Sequence, residues 1–119
     1  MFKIEVFGNF SAAHKLRGYK GKCENIHGHN WKVGVEVSKE KLDNIGIAMD
    51  FKVLKRHLKT VLNDLDHKDL NSLQYFKKFN PTSENIAKFI YGELKKKVDV
   101  STVSVWEAED SKATYSEDR

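Results

Sequence analysis

The sequence contains a single cysteine, Cys23, so the chain cannot form an internal disulfide bond. No apolar run approaches the roughly 18 residues that a membrane-spanning helix needs. A leader of basic and then apolar residues is also missing from the amino terminus. Internal repeats, low-complexity tracts and linkers are absent, so the 119 residues are expected to form one domain, residues 1–119. These absences predict a cytoplasmic protein with no membrane partner.

Arginine-rich stripes with interleaved aromatic residues, which are typical of nucleic-acid-binding proteins, do not occur either. The formal net charge is +4, but the lysines are spread along the chain, as at Lys55, Lys68 and Lys77. Most of these lysines are interpreted as solvated surface groups. The charge balance is therefore compatible with an anionic ligand and does not predict a nucleic-acid partner.

The pattern of apolar residues predicts an α+β protein with the element order ββααββ. Residues 2–10 and 27–37 alternate between apolar and polar residues, as half-buried strands do. Residues 45–49 are a candidate extension of this pairing. A final strand is expected at about residues 100–107, with a short partner at 112–115. The prediction is an antiparallel sheet with two helices packed on one face, and its free edges favour oligomerisation.

Helical periodicity marks the two predicted helices. The first follows Asp50, and the second follows Pro81 with Thr82 as its N-cap. Their expected buried stripes are Phe51, Leu54, Leu58, Val61, Leu62 and Leu65 in the first helix, and Ile86, Ile90, Leu94 and Val98 in the second.

Strand parity brings three histidines to the apolar face of the sheet. His27 and His29 share the face of Trp31, and His14 continues the apolar even-numbered set of the first strand. Burying three imidazoles without partners is costly, because each has polar nitrogens to satisfy. One zinc ion could accept all three lone pairs and leave a fourth position open. We therefore predict a metal site, against the alternative that His14 is an ordinary hydrogen-bonded core histidine.

Cys23 lies four residues before His27 in a glycine-rich segment, and this spacing leaves two roles open. As a fourth zinc ligand, the thiolate would close the site into a structural centre with three histidines and one cysteine. As an unligated thiol beside an open metal site, it could act as a base or an acid in catalysis.

Asp66, His67 and Glu107 are further candidates for chemistry. A carboxylate that orients an imidazole, which in turn exchanges a proton with a thiol, is a recurrent arrangement, and Asp66 and His67 follow the first predicted helix. The alternatives are helix-end hydrogen bonding for Asp66 and a plain surface position for His67. Glu107 is expected to point inward, where it either accepts N–H groups of a ligand or forms a surface ion pair. His57 lies beside the stripe of the first helix and is not expected to join the group.

Several motifs in order resemble those of the 6-pyruvoyl-tetrahydropterin synthase and 6-carboxytetrahydropterin synthase family, over essentially the whole chain. They read FSAAH at 10–14, CENIHGH at 23–29, MDF at 49–51, LDHKDLN at 65–71, NPTSEN at 80–85 and VWE at 105–107. The resemblance implies the tunnelling fold (T-fold), in which sheets from several subunits close into a barrel, usually in a homohexamer built as a dimer of trimers. It also implies zinc as the cofactor, a pterin triphosphate as the substrate and active sites between subunits.

The resemblance further implies a role for each candidate residue. The zinc ligands would be His14, His27 and His29, the proton-transfer residues Cys23, Asp66 and His67, the pterin anchor Glu107, and a further ring contact Thr82.

The spacing of three residues between Cys23 and the HGH motif resembles the carboxy-forming type of this family. That type converts 7,8-dihydroneopterin triphosphate into 6-carboxy-5,6,7,8-tetrahydropterin, acetaldehyde and triphosphate, on the way to queuosine and related deazapurine nucleosides. One alternative is the pyruvoyl-forming type, which has a longer interval. The other is a non-enzymatic zinc-stabilised pterin-binding module, in which Cys23 would be the fourth zinc ligand. One departure is that Ala108-Glu109-Asp110 follows Glu107, where relatives commonly carry Thr-Pro or Thr-Ser.

Overall fold

A computed structural model describes residues 1–18 and 25–117 of the chain, which form a five-stranded sheet with helices on one face. The strands are β1 (Phe2–His14), β2 (His27–Lys39), β3 (Lys68–Asp69), β4 (Thr102–Ala108) and β5 (Ser111–Ser116), and the helices are α1 (Phe51–Asn63), α2 (Gln74–Lys78) and α3 (Ser83–Lys95). A 3₁₀ turn at Leu70–Ser72 joins β3 to α2. The predicted α+β class and the main order ββααββ are confirmed, with β3 and α2 as additions between the two long helices.

The sheet has the strand order β3-β1-β2-β4-β5 and is mixed rather than wholly antiparallel. Its long ladder pairs β1 with β2 antiparallel along their whole length, from Phe2 opposite Lys39 to His14 opposite His27. The two-residue strand β3 runs parallel to the end of β1. Because this register brings the end of β1 beside the start of β2, the two histidine-bearing segments meet at one end of the ladder.

The helices pack on the sheet face that carries the alternating apolar residues. Phe10 and Trp31, which stack with ring centroids 5.9 Å apart, are buried on this face. Gly8 allows α1 to come close to β1. A Cβ atom at this position would lie 2.9 Å from Cδ1 of Leu62 and 3.1 Å from Cδ2 of Leu58, so any larger residue would displace the helix side chains.

Both predicted helix caps are present. The side chain of Asp50 accepts a hydrogen bond from the backbone N–H of Lys52 at the start of α1. At the start of α3, the hydroxyl of Thr82 accepts one from the N–H of Asn85. These bonds satisfy backbone donors that a helix start otherwise leaves unpaired. Within 1–18 and 25–117, no helix combines the length and the apolar character that a bilayer crossing requires.

Two local predictions were wrong. Residues 45–49 do not extend the sheet, because Asp43 folds them into a turn: its carboxylate accepts the N–H groups of Ile45 and Ile47, and Gly46 adopts a φ of 86°. Phe51 begins α1 as predicted but is 53% exposed, so it does not belong to the buried stripe. Phe51 is the first residue of α1, and the buried residues of the helix begin at Leu54.

Candidate metal centre

Three histidines converge where the β1–β2 ladder ends. His14 and His27 are directly opposite each other in the register, and their Nε2 atoms lie 3.1 Å apart. His29 enters from the next inward-facing position of β2, and its ring centroid lies 5.4 Å from that of His14 and 4.7 Å from that of His27. The structure therefore brings together the three histidines that strand parity placed on one face.

The hydrogen bonds of these rings leave their Nε2 lone pairs free to bind a cation. Nδ1 of His14 donates to the carbonyl of Pro81 at 2.7 Å, and Nδ1 of His27 donates to that of Asn25 at 2.8 Å. Burial lowers the pKa of His14 below its ordinary value of 6.5, which favours the neutral ring. With Nδ1 of each ring directed at a carbonyl, the Nε2 atoms of His14 and His27 face each other at 3.1 Å, and Nε2 of His29 is buried without a hydrogen-bond partner among the described residues. A shared cation would satisfy all three atoms.

Glu107 adds a carboxylate to the same point. The register of the β4–β5 pair shifts at this residue, so Glu107 occupies a β-bulge, a device that redirects a side chain near the end of a strand. Its Oε1 lies 3.0 Å from Nε2 of His29. The same oxygen lies 3.7 Å from Nε2 of His14 and 3.9 Å from that of His27.

This donor set fits a metal ion. One atom from each of the four residues can be chosen so that all lie within 4.8 Å of one another. Imidazole and carboxylate donors suit zinc and other first-row transition metals. The carbonyls that hold Nδ1 of His14 and His27 are the kind of outer partner that orients metal-binding imidazoles. Sequence reasoning missed these carbonyls, because a backbone oxygen leaves no residue-type signal.

Trp31 forms the apolar wall behind the cluster. It is fully buried, and its ring centroid lies 4.8 Å from that of His14 and 5.4 Å from that of His29. The indole N–H donates to the carbonyl of Ala12 at 3.3 Å, which satisfies its polar group. An apolar wall keeps water away from one side of the cluster and so strengthens electrostatic interactions there.

Asp66 and His67 form a separate pair at the edge of the sheet. The Asp66 carboxylate accepts the backbone N–H of Ser11 through Oδ1 at 2.8 Å, and its Oδ2 lies 3.1 Å from Nδ1 of His67. Neither residue is among the four donors grouped in the described part of the chain. The structure thus places the His67 ring against the Asp66 carboxylate, and the predicted role of the pair in proton transfer stays a prediction. His57, half-buried on α1, is also outside the group.

His67 has an unusual backbone. Its φ is 59°, in the left-handed region that non-glycine residues rarely adopt, and its N–H donates to the carbonyl of Ser11 at 2.6 Å. The side chain is 81% exposed, so the ring is presented to solvent with Nδ1 against Asp66. Such strain persists only where the surroundings impose it, and it is common at functional sites.

The carboxyl group of Asp66 should make stability depend on pH. The N–H of Ser11 holds the pKa of Asp66 below its ordinary value of 3.8. Because this pKa is lower in the folded state, the ionised Asp66 carboxylate stabilises the fold fully above pH 3.8. That stabilisation is lost as the pH falls through the pKa of the folded state. We therefore expect Asp66→Asn to unfold more easily at neutral pH, with a gap from wild type that closes below pH 3.8. Urea unfolding across this range measures the gap, and a gap that stays constant in acid would contradict the assignment.

Thr82 follows Pro81, the residue whose carbonyl contacts the histidine cluster. The carbonyl of Pro81 binds the ring of His14, and Thr82 follows as the half-buried cap of α3. Because its hydroxyl accepts from Asn85, the hydroxyl proton remains available for donation. The predicted contact between Thr82 and a pterin ring stays a prediction.

A cavity of about 420 Å³ opens beside the cluster, with His29 and Glu107 on one side and the first turn of α3 on the other. This volume is within the range of sites that hold small organic ligands. Cys23 lies outside the described residues, so its predicted role also stays a prediction.

The fold and the cluster define an α+β protein with a candidate metal centre at the end of a strand ladder. A model of the 6-pyruvoyl tetrahydropterin synthase family matches residues 3–118. A putative 6-carboxy-5,6,7,8-tetrahydropterin synthase of Archaeoglobus fulgidus is 44% identical over 108 residues, covering 90% of this chain and 89% of the relative. The 6-carboxy-5,6,7,8-tetrahydropterin synthase of Haemophilus influenzae is 33% identical over 141 residues, covering 98% and 100%.

The structure of Caenorhabditis elegans 6-pyruvoyl tetrahydropterin synthase matches with a TM-score of 0.88 and 29% identity, covering 98% of this chain and 96% of that one. The chain belongs to the 6-pyruvoyl tetrahydropterin synthase family, a family of enzymes that includes relatives named for both products. The predicted family and the predicted tunnelling fold are confirmed.

Proposed function

We propose that this chain is a zinc-dependent 6-carboxy-5,6,7,8-tetrahydropterin synthase. It would convert 7,8-dihydroneopterin triphosphate into 6-carboxy-5,6,7,8-tetrahydropterin, with release of acetaldehyde and triphosphate, in the pathway to queuosine and related nucleosides. The observation that carries the proposal is the convergence of the Nε2 atoms of His14, His27 and His29 in a member of a tetrahydropterin synthase family. The relatives from Archaeoglobus and Haemophilus, named for the carboxy product, support this choice.

Zinc is the proposed metal because neutral imidazoles in a set of three are a common catalytic zinc site. When bound, zinc would act as a Lewis acid that makes neighbouring hydroxyl and C–H protons of the substrate easier to remove. His14, His27 and His29 would hold it through Nε2.

Glu107 would orient the pterin ring. Its carboxylate would accept hydrogen bonds from the amino group and a ring N–H of the pterin, a paired contact that is stronger than a bond between neutral groups. The cavity that Glu107 lines is also lined by Ser83 and Glu84 of α3. Thr82 precedes them as the helix cap and would donate its hydroxyl proton to the ring. The net charge of +4 suits a triphosphate substrate.

Cys23 and His67 would move the protons. Asp66 accepts from Nδ1–H of His67, which leaves Nε2 of that ring to accept or donate at the substrate, while the Cys23 thiolate would serve as the second proton carrier. Because the Asp66–His67 pair lies at the sheet edge, we propose that a second copy of the chain presents it to the cluster. This arrangement implies a homo-oligomer, for which we propose a hexamer made of two trimers.

Product analysis tests the proposal directly. Zinc-loaded protein incubated with 7,8-dihydroneopterin triphosphate should release acetaldehyde and 6-carboxytetrahydropterin in equal amounts, both followed by mass spectrometry. The matched control is the same protein stripped by a chelator, which should release neither. Absence of any turnover, with the pterin still bound, would contradict an enzymatic role.

A second candidate is a 6-pyruvoyl-tetrahydropterin synthase, which eliminates triphosphate without breaking the carbon chain. The match of the chain to the Caenorhabditis elegans structure, over 98% of its length, favours this possibility. The same experiment separates the two candidates, since a pyruvoyl product without acetaldehyde would replace the carboxy-forming proposal.

A further inference from the structure

The Glu107 carboxylate lies close to the imidazole nitrogens of the histidine cluster. Its Oε1 lies 3.0–3.9 Å from the Nε2 atoms of all three histidines. Donors that share one tetrahedral zinc ion lie roughly 3.3 Å apart, given metal–donor bonds of about 2.0–2.2 Å. The separations of the carboxylate oxygen from the three nitrogens bracket this value.

The shortest of these contacts is not a hydrogen bond. Nε2 of His29 is buried and has no hydrogen-bond partner in the described chain, although Oε1 of Glu107 is 3.0 Å away. A carboxylate oxygen only accepts, so this close contact is favourable when the ring is protonated or when a metal ion lies between the two atoms. The missing hydrogen bond favours the metal ion.

The backbone at Glu107 supports the same interpretation. A regular β4 would continue the pairing with β5, but the register shift makes Glu107 the extra residue of a bulge. The Glu107 side chain is 35% exposed: its carboxylate lies against the imidazoles and also lines the cavity. The Glu107 carboxylate can thus face either the histidine cluster or a ligand in the cavity. Its two oxygens cannot bind a metal ion and at the same time both accept N–H groups of a ligand.

We propose that Glu107 is an exchangeable fourth metal ligand, which closes the coordination shell in the free protein and is released to the pterin ring on binding. The second half of this inference rests on the proposed function, since it takes the cavity ligand to be a pterin. Release of the carboxylate would open a coordination position only when the ring is in place. Substrate binding and access to the metal would then be coupled through one side chain.

Cobalt-substituted protein tests whether Glu107 binds the metal in the free protein. The test needs no turnover, because the visible absorption of Co²⁺ reports its ligands. Glu107→Gln and Glu107→Ala should change the visible bands and weaken metal binding at least about 10-fold in competition with a chelator. Glu109→Gln removes an equal charge two residues away and should leave both readouts as in wild type. Unfolding of the metal-free variants checks that they fold.

Two results would overturn the ligand assignment. One is a Glu107→Ala protein with the spectrum and metal affinity of wild type. The other is a thiolate-to-cobalt charge-transfer band in wild type that disappears in Cys23→Ser, which would make the thiol the closing ligand.

Neopterin, which lacks the triphosphate leaving group, tests the release step. On binding, followed by its own fluorescence, it should shift the cobalt spectrum of wild type towards that of Glu107→Ala. Bound neopterin with an unchanged spectrum would overturn the release. If neopterin does not bind, the release step fails, while the ligand assignment is judged by the variants and the proposed function by the product analysis.

Discussion

Replacing His27 by alanine is expected to remove the bound metal and reduce turnover to background. His27 contributes one of the converging Nε2 atoms, and its ring is held by a hydrogen bond from Nδ1 to the carbonyl of Asn25. Loss of an outer-shell partner alone typically costs 10–100-fold in metal affinity, so loss of a donor atom should cost more than about 100-fold. Metal content after dialysis and initial rates with 7,8-dihydroneopterin triphosphate measure the two effects.

His27 is a better target than His14, because His14 is also a buried core residue whose removal would disturb packing. The matched control is His57→Ala on α1, which removes an imidazole outside the cluster and should keep wild-type metal content and rate. A His27→Ala protein that keeps one metal ion and full activity would remove His27 from the ligand set.

A mixture of two inactive variants is expected to recover activity. The Asp66–His67 pair is fixed to β1 through Ser11 at the sheet edge, apart from the metal-binding donors. Removing a general acid or base costs about 10²–10⁴-fold, so His67→Ala should be nearly inactive while keeping its metal. If each site combines the cluster of one copy with the pair of another, a random oligomer of His27→Ala and His67→Ala should regain about a quarter of wild-type turnover.

Co-expression with two different affinity tags, followed by purification on both, gives the mixed oligomer. The control combines His27→Ala with a chain that carries both substitutions. Neither chain of this mixture has an intact histidine cluster, so the mixed oligomer should stay inactive. A mixed oligomer of the single variants that forms but stays inactive would show that the pair does not act across a subunit boundary.

Strand periodicity predicted the main part of the site from sequence. The apolar alternation of β1 and β2 placed His14, His27 and His29 on one face, and the structure has them there. This worked because the side-chain period of a strand is fixed by its geometry and needs no knowledge of the rest of the fold. The caps at Asp50 and Thr82 were predictable for a similar reason, since a helix start depends on a few adjacent residues.

Features that depend on distant parts of the chain were not predictable from sequence. The two-residue strand β3 is too short to show a period and exists because β1 offers it a free edge. The bulge at Glu107 depends on how β5 returns along β4, so parity indicated an inward side chain but not its approach to the histidines. Phe51 fitted the helical stripe by spacing alone, and its side chain is exposed because burial depends on the packing partners that the fold supplies and not on spacing.

Zinc titration of metal-free protein tests the central claim, that His14, His27 and His29 hold a metal on which turnover depends. Chelator-stripped protein should be inactive with 7,8-dihydroneopterin triphosphate. Its rate should then rise in proportion to added zinc and level off at one equivalent per chain, as expected for the single donor cluster of the described residues. Full turnover by the stripped protein, or a rate that ignores added zinc, would contradict the account.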